Sequence, residues 1–408
     1  MAETEFKVYR YRWVVLAVYM AVTALNQLLW ITFAAITTRA AEYYAVSNLS
    51  IGLLSMSFMI VFILVSIPAS WAIDTWGLRV AVGIGAALTG LFGLMRGLVG
   101  GSYTLVLVAQ IGIAIGQPFI LNAVTTVAAR WFPLGERATA SGLGTLAIYV
   151  GIALGLALTP YLAERAGMSG MLLVYGGLAT AVAVAFVALA RERPPTPPCP
   201  AGQEARALVF EGLGHALRNR QFWVLLVVLF IGLGVFNGAT TWIEDILRPR
   251  GFSSAQAGIA GGLMVVGGVV GALVNPTLSD RARKRVPFIV IALAGCIPGL
   301  LGVTFAQGYG LLLASAFVLG FFLLSAGPIA FQYGAEVTYP APEGTTNGLL
   351  ILAGQVSGIL FILGMDAIKS PSDDSMTTSL VIFAALLLLS LVLCTRLKES
   401  ALLTQRQG

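Results

Sequence analysis

Two loops decide the fold of this 408-residue chain: WAIDTWGLR, Trp71–Arg79, and PTLSDRARKR, Pro276–Arg285. Each loop follows a long apolar stretch and combines an aspartate with arginines. The two aspartates, Asp74 and Asp280, lie 206 positions apart. A shared motif at such a distance indicates an internal repeat of about half the chain.

Two further landmarks repeat at nearly the same distance. Glu136 in RWFPLGERATASGLG and Glu343 in TYPAPEGTTNGLL are 207 positions apart, and Gly142 and Gly348 are 206 positions apart. Independent landmarks with one period predict two halves related as parallel repeats.

Composition assigns both halves to the membrane. Hydrophobic residues make up 58% of the chain, charged residues only 10%, and there are 47 glycines. A soluble domain has roughly 45–50% apolar and about 25% charged residues. The mean hydropathy of +0.89 agrees with an integral membrane protein.

Twelve apolar segments are long enough to span a bilayer, which takes about 20 residues of helix. All but six of the 24 lysines and arginines lie on one side of these segments, which predicts cytoplasmic N and C termini. The six on the other side are Arg39, Arg96, Arg165, Arg248, Arg250 and Lys369. The predicted spans are 12–36, 50–73, 79–98, 104–130, 138–163, 169–190, 221–247, 255–279, 286–307, 309–335, 344–368 and 376–396.

A proline-rich linker separates the halves. The segment 191–200, RERPPTPPCP, contains five prolines and cannot form a regular helix. Residues 207–220 follow with the pattern of a short amphipathic helix on the membrane surface, which includes the only histidine, His215. The predicted organisation is therefore a six-helix half at 1–190, a cytoplasmic linker at 191–220 and a second half at 221–408.

Polar side chains inside the first and fourth spans mark a candidate solute site. Asn26, Gln27 and Trp30 interrupt the otherwise apolar first span, and Gln117 and Asn122 lie in the fourth. Polar groups in hydrocarbon face a bundle interior or a water-filled cavity, since lipid offers them no partner. Gln110 lies seven residues before Gln117, and we expect it to hold helices together.

The two repeated loops resemble the G-x-L-x-D-R-x-G-R-R loop of the major facilitator superfamily. Asp74, Gly77 and Arg79 match it in the first copy, and Asp280, Arg281 and Arg285 match it in the second. The resemblance implies an all-α fold with twelve transmembrane helices in two pseudo-symmetric halves. It also implies alternating access, with cytoplasmic charge clusters that hold the halves closed. The residues assigned to these clusters are Asp74, Arg79, Glu136, Arg137, Asp280, Arg281, Arg285, Glu336 and Glu343, with Asp74–Arg137 and Asp280–Arg285 as the expected pairs.

Four longer stretches resemble the feline leukaemia virus subgroup C receptor-related transporters, a family of haem, choline and ethanolamine carriers. They are NQLLWITFAAITT at 26–38, PASWAIDTWGLR at 68–79, QPFILNAVTTVAARWFPLGERATASGLG at 117–144 and EVTYPAPEGTTNGLLILAGQVSGILF at 336–361. The resemblance suggests a prokaryotic-type homologue located in the plasma (inner) membrane.

This resemblance implies the site residues. The relatives' central aromatic residue falls on Trp30, and their site glutamines fall on Gln117 and Gln355. A tryptophan face attracts a quaternary ammonium group, and glutamine amides orient a hydroxyl or an amine. The relatives' tyrosine in span seven falls on Asn237, which removes one wall of an aromatic cage.

Two aromatic residues, Tyr149 and Trp242, are further candidates for the solute site. Tyr149 lies 206 positions before Gln355, so the two predict a pseudo-symmetric pair that faces one cavity; a packed tyrosine is the alternative. Trp242 offers a replacement aromatic wall, and its alternative is a place in the interfacial belt.

Carboxylates close to span ends suggest either substrate attraction or proton coupling. Glu244 and Asp245 follow Asn237 at the end of span seven, and Asp366 lies near the end of span eleven. Intramembrane acids are rare and usually functional. The alternative is a structural ion pair with Arg248 or Arg250 for the first two acids, and a local pair with Lys369 for Asp366.

The sequence predicts a transporter and no enzyme. It contains no H-E-x-x-H, G-x-S-x-G or P-loop motif, and Cys199, Cys296 and Cys394 are scattered, so no metal or cofactor is expected. The predicted substrate is a small organic cation or amine-bearing metabolite. A proton-coupled exporter of drugs, vitamins or organic anions is the alternative, and a non-transporting receptor is the third. The expected partners are the solute and the lipid bilayer, with no nucleic acid, and the protein is expected to be a monomer.

Overall fold

Long apolar helices dominate the structure, a computed structural model that describes residues 8–133, 136–196, 217–339 and 343–399. In these ranges, eleven helices are long and apolar enough to cross a membrane. One of them, Thr139–Leu189, has 51 residues, which at 1.5 Å per residue is about 77 Å and more than twice a hydrocarbon core. It breaks at Gly167, whose φ of 70° is open to glycine but strained for other residues. Two spans meet there, which agrees with the twelve predicted from hydropathy.

The chain divides into two compact units. The first unit comprises Met1–Phe33 and Arg39–Ala207, and the second comprises Ala34–Thr38 and Leu208–Gly408. Five residues that follow the first span in sequence therefore belong to the second unit. We call the end of each unit that carries the Asp74 or Asp280 loop its motif end, and the opposite end its far end.

The first unit contains seven described helices, with α2 beginning inside the segment that belongs to the second unit. They are α1 (Arg12–Ile31), α2 (Thr37–Tyr44), α3 (Asn48–Trp76), α4 (Leu78–Leu98), α5 (Tyr103–Leu121), α6 (Val124–Trp131) and α7 (Arg137–Leu189). The second unit contains α8 (Arg220–Thr241), α9 (Ile243–Leu247), α10 (Ser254–Ala282), α11 (Val286–Phe305), α12 (Tyr309–Val337), α13 (Glu343–Ala367) and α14 (Thr377–Cys394).

Small residues allow close helix packing inside each unit. In the first unit, a Cβ atom at Gly151 of α7 would overlap the Ala24 carbonyl of α1. In the second unit, a Cβ atom at Gly271 of α10 would overlap the Phe321 carbonyl of α12. Lipid removes most of the hydrophobic drive for helix association, so such close backbone contacts carry much of the packing energy.

Three predicted spans are interrupted in the structure. The first was expected at 12–36, but α1 ends at Ile31 and a 3₁₀ turn follows at Ala34–Ile36. The fourth divides after Leu121, three residues beyond Pro118, a residue that lacks an N–H for the helix. The seventh, expected at 221–247, divides at Trp242. Hydropathy depends on the apolar length of each of these three spans, and it does not detect the breaks in their backbone.

The predicted amphipathic helix in the linker lies largely outside the described residues, as does His215.

Candidate functional site

A buried polar network joins α1 to α4 in the first unit. The Gln27 amide donates to the Asn26 side-chain oxygen at 3.1 Å, and the Asn26 amide donates to the Thr89 hydroxyl at 3.1 Å. Thr89 in turn donates to the Gly85 carbonyl at 2.8 Å. Asn26 is completely buried. These hydrogen bonds satisfy much of the polarity that made this stretch conspicuous: Asn26 connects α1 to α4, and Gln27 is held against Asn26 within α1.

Trp30 is oriented by a backbone contact. Its indole N–H donates to the Ser55 carbonyl of α3 at 3.1 Å, and the residue is 5% exposed. Because this bond occupies the only polar group of the indole, only the apolar faces of the ring remain for other contacts.

The two glutamines of α5 differ in their environment. Gln110 is completely buried, accepts from Arg96 at 2.8 Å and lies 3.4 Å from the Leu29 carbonyl. Gln117, two turns further along, forms no hydrogen bond within the described ranges. The prediction that Gln110 holds helices together is therefore confirmed, and the amide of Gln117 is left without a protein partner.

Asn122 and Tyr149 also differ in whether their side chains are hydrogen bonded. The Asn122 amide donates to the Ser66 carbonyl at 3.1 Å and to the hydroxyls of Ser66 and Ser70 at 3.0 Å. Asn122 therefore fixes the break between α5 and α6 against α3. Tyr149 is partly exposed, and its hydroxyl forms no hydrogen bond in the part of the chain that the structure describes.

The candidate site residues of the second unit also differ in whether their side chains are hydrogen bonded within the described ranges. Asn237 and Gln355 are partly exposed, and neither side-chain amide is hydrogen bonded among the described residues. Trp242 is completely buried, and its indole N–H donates to the Ile362 carbonyl at 3.1 Å. Trp242 is therefore neither an exposed cage wall nor a belt residue: it connects the α8–α9 break to α13. Asn237 lies 207 positions after Trp30, at the repeat-equivalent place.

Four predicted site residues thus carry side-chain polar groups with no hydrogen-bond partner among the described residues: Gln117, which is 6% exposed, and the partly exposed Tyr149, Asn237 and Gln355. A polar group left unpaired in an apolar environment costs about 1–3 kcal/mol. Water or a polar solute removes that cost and lipid does not. These four side chains are consequently the strongest candidates for solute contact.

Glu244 lies just beyond the end of the span helix Arg220–Thr241, at the far end of the second unit. It is 3% exposed. Its carboxylate accepts from the Thr38 backbone N–H at 2.9 Å and from the Ser254 hydroxyl at 2.8 Å. Burial raises its pKa; these two hydrogen bonds and Arg248 oppose that rise, and Asp245 adds to it. No ion pair forms with Arg248 or Arg250, so the structural alternative weighed for Glu244 is not realised.

Asp245 forms the expected structural ion pair with Arg248 and a second, closer one with Lys369, the residue expected to pair with Asp366. The carboxylate is completely buried, lies 3.2 Å from the Lys369 ammonium group and lies 3.8 Å from the Arg248 guanidinium. Asp374 joins both cations from the exposed side, at 3.7 Å and 3.4 Å. The local Asp366–Lys369 pair does not form, because Lys369 reaches Asp245 and Asp374 instead. Asp366 remains half-buried without an ion pair in the described ranges.

The motif end of the first unit contains a helix cap that the sequence analysis missed. Glu192 directly follows the last span of this unit, and its carboxylate accepts from the backbone N–H groups of Leu78 at 2.9 Å and Arg79 at 2.7 Å. It also pairs with Arg130. Free N–H groups and a positive dipole at the N-terminus of α4 favour a carboxylate there.

The second unit contains the same cap. Glu399 accepts from the backbone N–H groups of Arg285 at 3.0 Å and Val286 at 3.1 Å, at the N-terminus of α11. The two glutamates are 207 positions apart, as are their partners. A search for a glutamate after the sixth and twelfth spans at the repeat distance could have found this pair.

Arg285 contacts two of the carboxylates that were assigned to the charge cluster of the second unit. It pairs with Asp280, and its guanidinium lies 3.1 Å from Glu336. Gln332 also donates to Glu336 at 3.1 Å, and Ser279 accepts from Arg285 at 3.2 Å. Burial lowers the pKa of Arg285, but the hydrogen bonds that it donates to Asp280 and Glu336, together with the charges of these carboxylates, outweigh burial and raise the pKa. The expected Asp280–Arg285 pair is therefore present.

The first unit departs from the expected pairing. Asp74 is exposed without an ion pair in the described ranges, and Arg137 donates to the carbonyls of Phe132 and Ala129. The predicted Asp74–Arg137 pair is wrong, because backbone carbonyls near the start of α7 are closer acceptors. Glu136 pairs instead with Arg12 at 2.9 Å.

The remaining motif residues contribute less. Arg79 donates to the Val187 carbonyl at 3.1 Å, and Arg281 is exposed. The side chain of Glu343 lies outside the described part of the chain.

Comparison with known proteins agrees with this architecture. The family model described as Major Facilitator Superfamily matches residues 15–362. Solute carrier family 49 member A3 of Danio rerio is 30% identical over 390 residues, covering 91% of this chain and 82% of the relative. Choline/ethanolamine transporter FLVCR2 of Homo sapiens is 26% identical over 382 residues, covering 89% and 73%. The crystal structure of a bacterial homologue of the human lysosomal transporter Spinster superposes with a TM-score of 0.73 at 16% identity, covering 95% and 96% of the two chains.

The fold, the repeated motif loops and these matches lead to the same conclusion. This chain belongs to the Major Facilitator Superfamily and is a membrane solute transporter related to solute carrier family 49.

Proposed function

We propose that this transporter carries a small organic cation or an amine-bearing metabolite by alternating access. The observation that carries the proposal is the set of four unpartnered polar side chains, Gln117 and Tyr149 in the first unit and Asn237 and Gln355 in the second. The related proteins named as choline/ethanolamine transporters support an ammonium-bearing substrate.

Each candidate residue has a distinct role in the proposal. Trp30 offers its ring face to the cationic group, a contact worth about 2 kcal/mol or more when it is desolvated. Gln117 and Gln355 accept hydrogen bonds from an ammonium N–H or donate to a hydroxyl. Tyr149 in the first unit and Asn237 in the second are further candidate contacts in this proposal. Since Asn237 replaces an aromatic residue of the relatives, a primary amine that hydrogen bonds fits this set better than a fully methylated ammonium group.

The other predicted site residues support the site indirectly. Asn26, Gln27 and Asn122 fix helices of the first unit, and Trp242 fixes the end of α8. In the proposal these four position the contacting side chains and do not touch the solute.

The distribution of basic residues supports the orientation proposed here for the termini. We propose cytoplasmic N and C termini, a plasma-membrane location and a monomer as the transporting species. The motif ends then face the cytoplasm.

The test is uptake by purified protein in liposomes. Radiolabelled ethanolamine and choline are offered singly and then in competition with 3,3-dimethylbutan-1-ol, an uncharged isostere of choline. We expect uptake of an amine, weak competition by the neutral isostere, and loss of at least tenfold in kcat/KM for Gln117→Ala and Gln355→Ala. The matched control is Gln307→Ala, because Gln307 is exposed in a loop. Equal transport by all three variants would show that the two glutamines do not contact the substrate.

Glu244 favours a second candidate function, proton-coupled export. Burial raises the pKa of Glu244, so this carboxylate binds a proton more readily than an exposed one. The coupled mechanism predicts that adding substrate to protein-containing liposomes changes the internal pH, and that Glu244→Gln abolishes this change. A facilitative carrier would transport the amine without a change in internal pH, both as wild type and as Glu244→Gln.

A further inference from the structure

An arginine buried in the far end of the first unit has no counter-charge. Arg96 lies in the last turn of α4 and is completely buried. Within the described ranges it forms no ion pair. A buried cation without a partner is destabilised by several kcal/mol. The charge therefore needs compensation that the described protein groups do not supply.

The hydrogen bonds of Arg96 use only one of its three nitrogens. Nη1 donates to the Leu29 carbonyl at 3.0 Å and to the Gln110 side-chain oxygen at 2.8 Å. Nε and Nη2 are buried and donate to no acceptor of the described chain. The Phe33 ring lies 5.6 Å from the guanidinium carbon, close enough for a cation–π contact. This contact contributes less than a charge pair does and leaves both nitrogens unsatisfied.

Tyr44 brings a further unsatisfied donor to the same place. Its ring packs edge-on against Phe33, with ring centroids 6.3 Å apart, and the residue is 5% exposed. Its hydroxyl is also buried without a hydrogen-bond partner. Burial raises the pKa of Tyr44 to about 12, and the positive charge of Arg96 opposes that rise. The hydroxyl is therefore neutral and keeps its proton available for donation.

We propose that Arg96 and Tyr44 bind a small monovalent anion of halide size. The anion accepts hydrogen bonds from Nε and Nη2 of Arg96 and from the Tyr44 hydroxyl, and it neutralises the buried guanidinium. An anion suits this cluster better than water, because a water molecule brings two protons of its own that also need acceptors. The site is separate from the four side chains proposed to contact the transported solute.

The repeat supports a specific role for this arginine. The positions 206 and 207 residues after Arg96 are Gly302 and Val303. The second unit therefore packs the equivalent part of the fold without a cation, which shows that helix packing alone does not require one.

The test is thermal unfolding of the full-length protein in detergent. Sodium chloride is titrated against sodium gluconate at constant ionic strength, since gluconate is too large for the site. A ligand that binds only the folded protein raises the unfolding temperature in a saturable way. We expect saturable stabilisation of wild type by chloride and by bromide.

Two substitutions locate the effect. Tyr44→Phe keeps the ring and removes one hydrogen bond to the anion, so the apparent dissociation constant should rise about tenfold. Arg96→Gln should abolish the chloride response. Tyr103→Phe is the matched control, because the Tyr103 hydroxyl already donates to the Ser50 carbonyl at 2.6 Å; its chloride response should equal that of wild type.

Two results would overturn the proposal. One is an unfolding temperature of wild type that is the same in chloride and gluconate, which would mean that water alone hydrates the cluster. The other is an unchanged dissociation constant in Tyr44→Phe, which would place the anion elsewhere. Tyr44→Phe decides the question even if Arg96→Gln does not fold. Binding is measured without transport, so neither result depends on the proposed substrate.

Discussion

The carboxylate of Glu244 accepts a 2.9 Å hydrogen bond from the backbone N–H of Thr38. Thr38 ends the five-residue segment Ala34–Thr38, which belongs to the second unit although the residues before and after it belong to the first. A charged acceptor strengthens such a bond, and protonation of the carboxylate weakens it. The contact between this segment and the start of α9 therefore depends on pH.

Glu244→Gln should flatten the pH dependence of stability. The folded protein binds a proton at Glu244 more readily than the unfolded chain does, because burial raises the pKa from its ordinary value of 4.5. The contribution of Glu244 to stability therefore falls as pH rises from 4.5 through the raised pKa. Thermal unfolding between pH 4.5 and pH 8 should show this decrease in wild type. An equally steep decrease in Glu244→Gln would assign it to another group.

Alanine substitutions of the two α5 glutamines should separate stability from transport. Gln110→Ala removes the acceptor of Arg96 and should lower the free energy of unfolding by about 2–3 kcal/mol. Gln117→Ala breaks no protein hydrogen bond, so it should unfold within about 0.5 kcal/mol of wild type and lose substrate transport. Thermal unfolding and liposome uptake measured on the same preparations check both statements. A large loss of stability in Gln117→Ala would contradict its assignment to the solute site.

Removal of either helix cap should destabilise its own unit. Glu192→Ala and Glu399→Ala each leave two backbone N–H groups without their carboxylate, at a cost of about 1–2 kcal/mol. Asp74→Ala is the control, since Asp74 is exposed and has no ion pair in the described ranges. Its unfolding temperature should match that of wild type even if its transport rate differs. Equal stability of the two cap variants and wild type would show that water replaces the carboxylates at no cost.

Lys369 and Asp245 should behave as a coupled pair. Lys369→Met removes the closest cation from a completely buried carboxylate and should cost about 3 kcal/mol. The double variant Lys369→Met/Asp245→Asn removes both charges and should recover much of that loss. A double-mutant cycle in thermal unfolding measures the coupling. Additive effects of the two substitutions would mean that Arg248 compensates Asp245 without help from Lys369.

Hydropathy and the repeat predicted most of the fold. Apolar length locates spans because a bilayer requires about 20 residues of helix wherever the chain crosses. The motif loops and the 206-residue offset then define two halves. The breaks after Ile31, Leu121 and Thr241 were missed because they depend on local backbone geometry, which leaves the average hydropathy unchanged.

The candidate site was predicted less completely. Residue type identifies a polar side chain in a span, but it does not show whether a neighbouring helix already supplies its partner. For this reason Asn26 and Gln117 look alike in sequence and differ in structure. Arg96 was counted among the basic residues on the non-cytoplasmic side, at the end of the predicted span 79–98, and the structure buries it completely. A rule that counts charges in loops cannot detect a side chain that turns back into the helix bundle.

The helix caps at Glu192 and Glu399 extend the boundary of the repeated unit in this protein. Each glutamate lies beyond the last span of its half, yet it completes the start of that half's third span. The duplicated unit is therefore six helices together with the residue that follows them. An ancestral gene that encoded a single half would have needed to extend past the sixth helix to include this glutamate. A designer who cuts the chain into two genes should accordingly place the junction after position 192 and keep position 399 in the second gene.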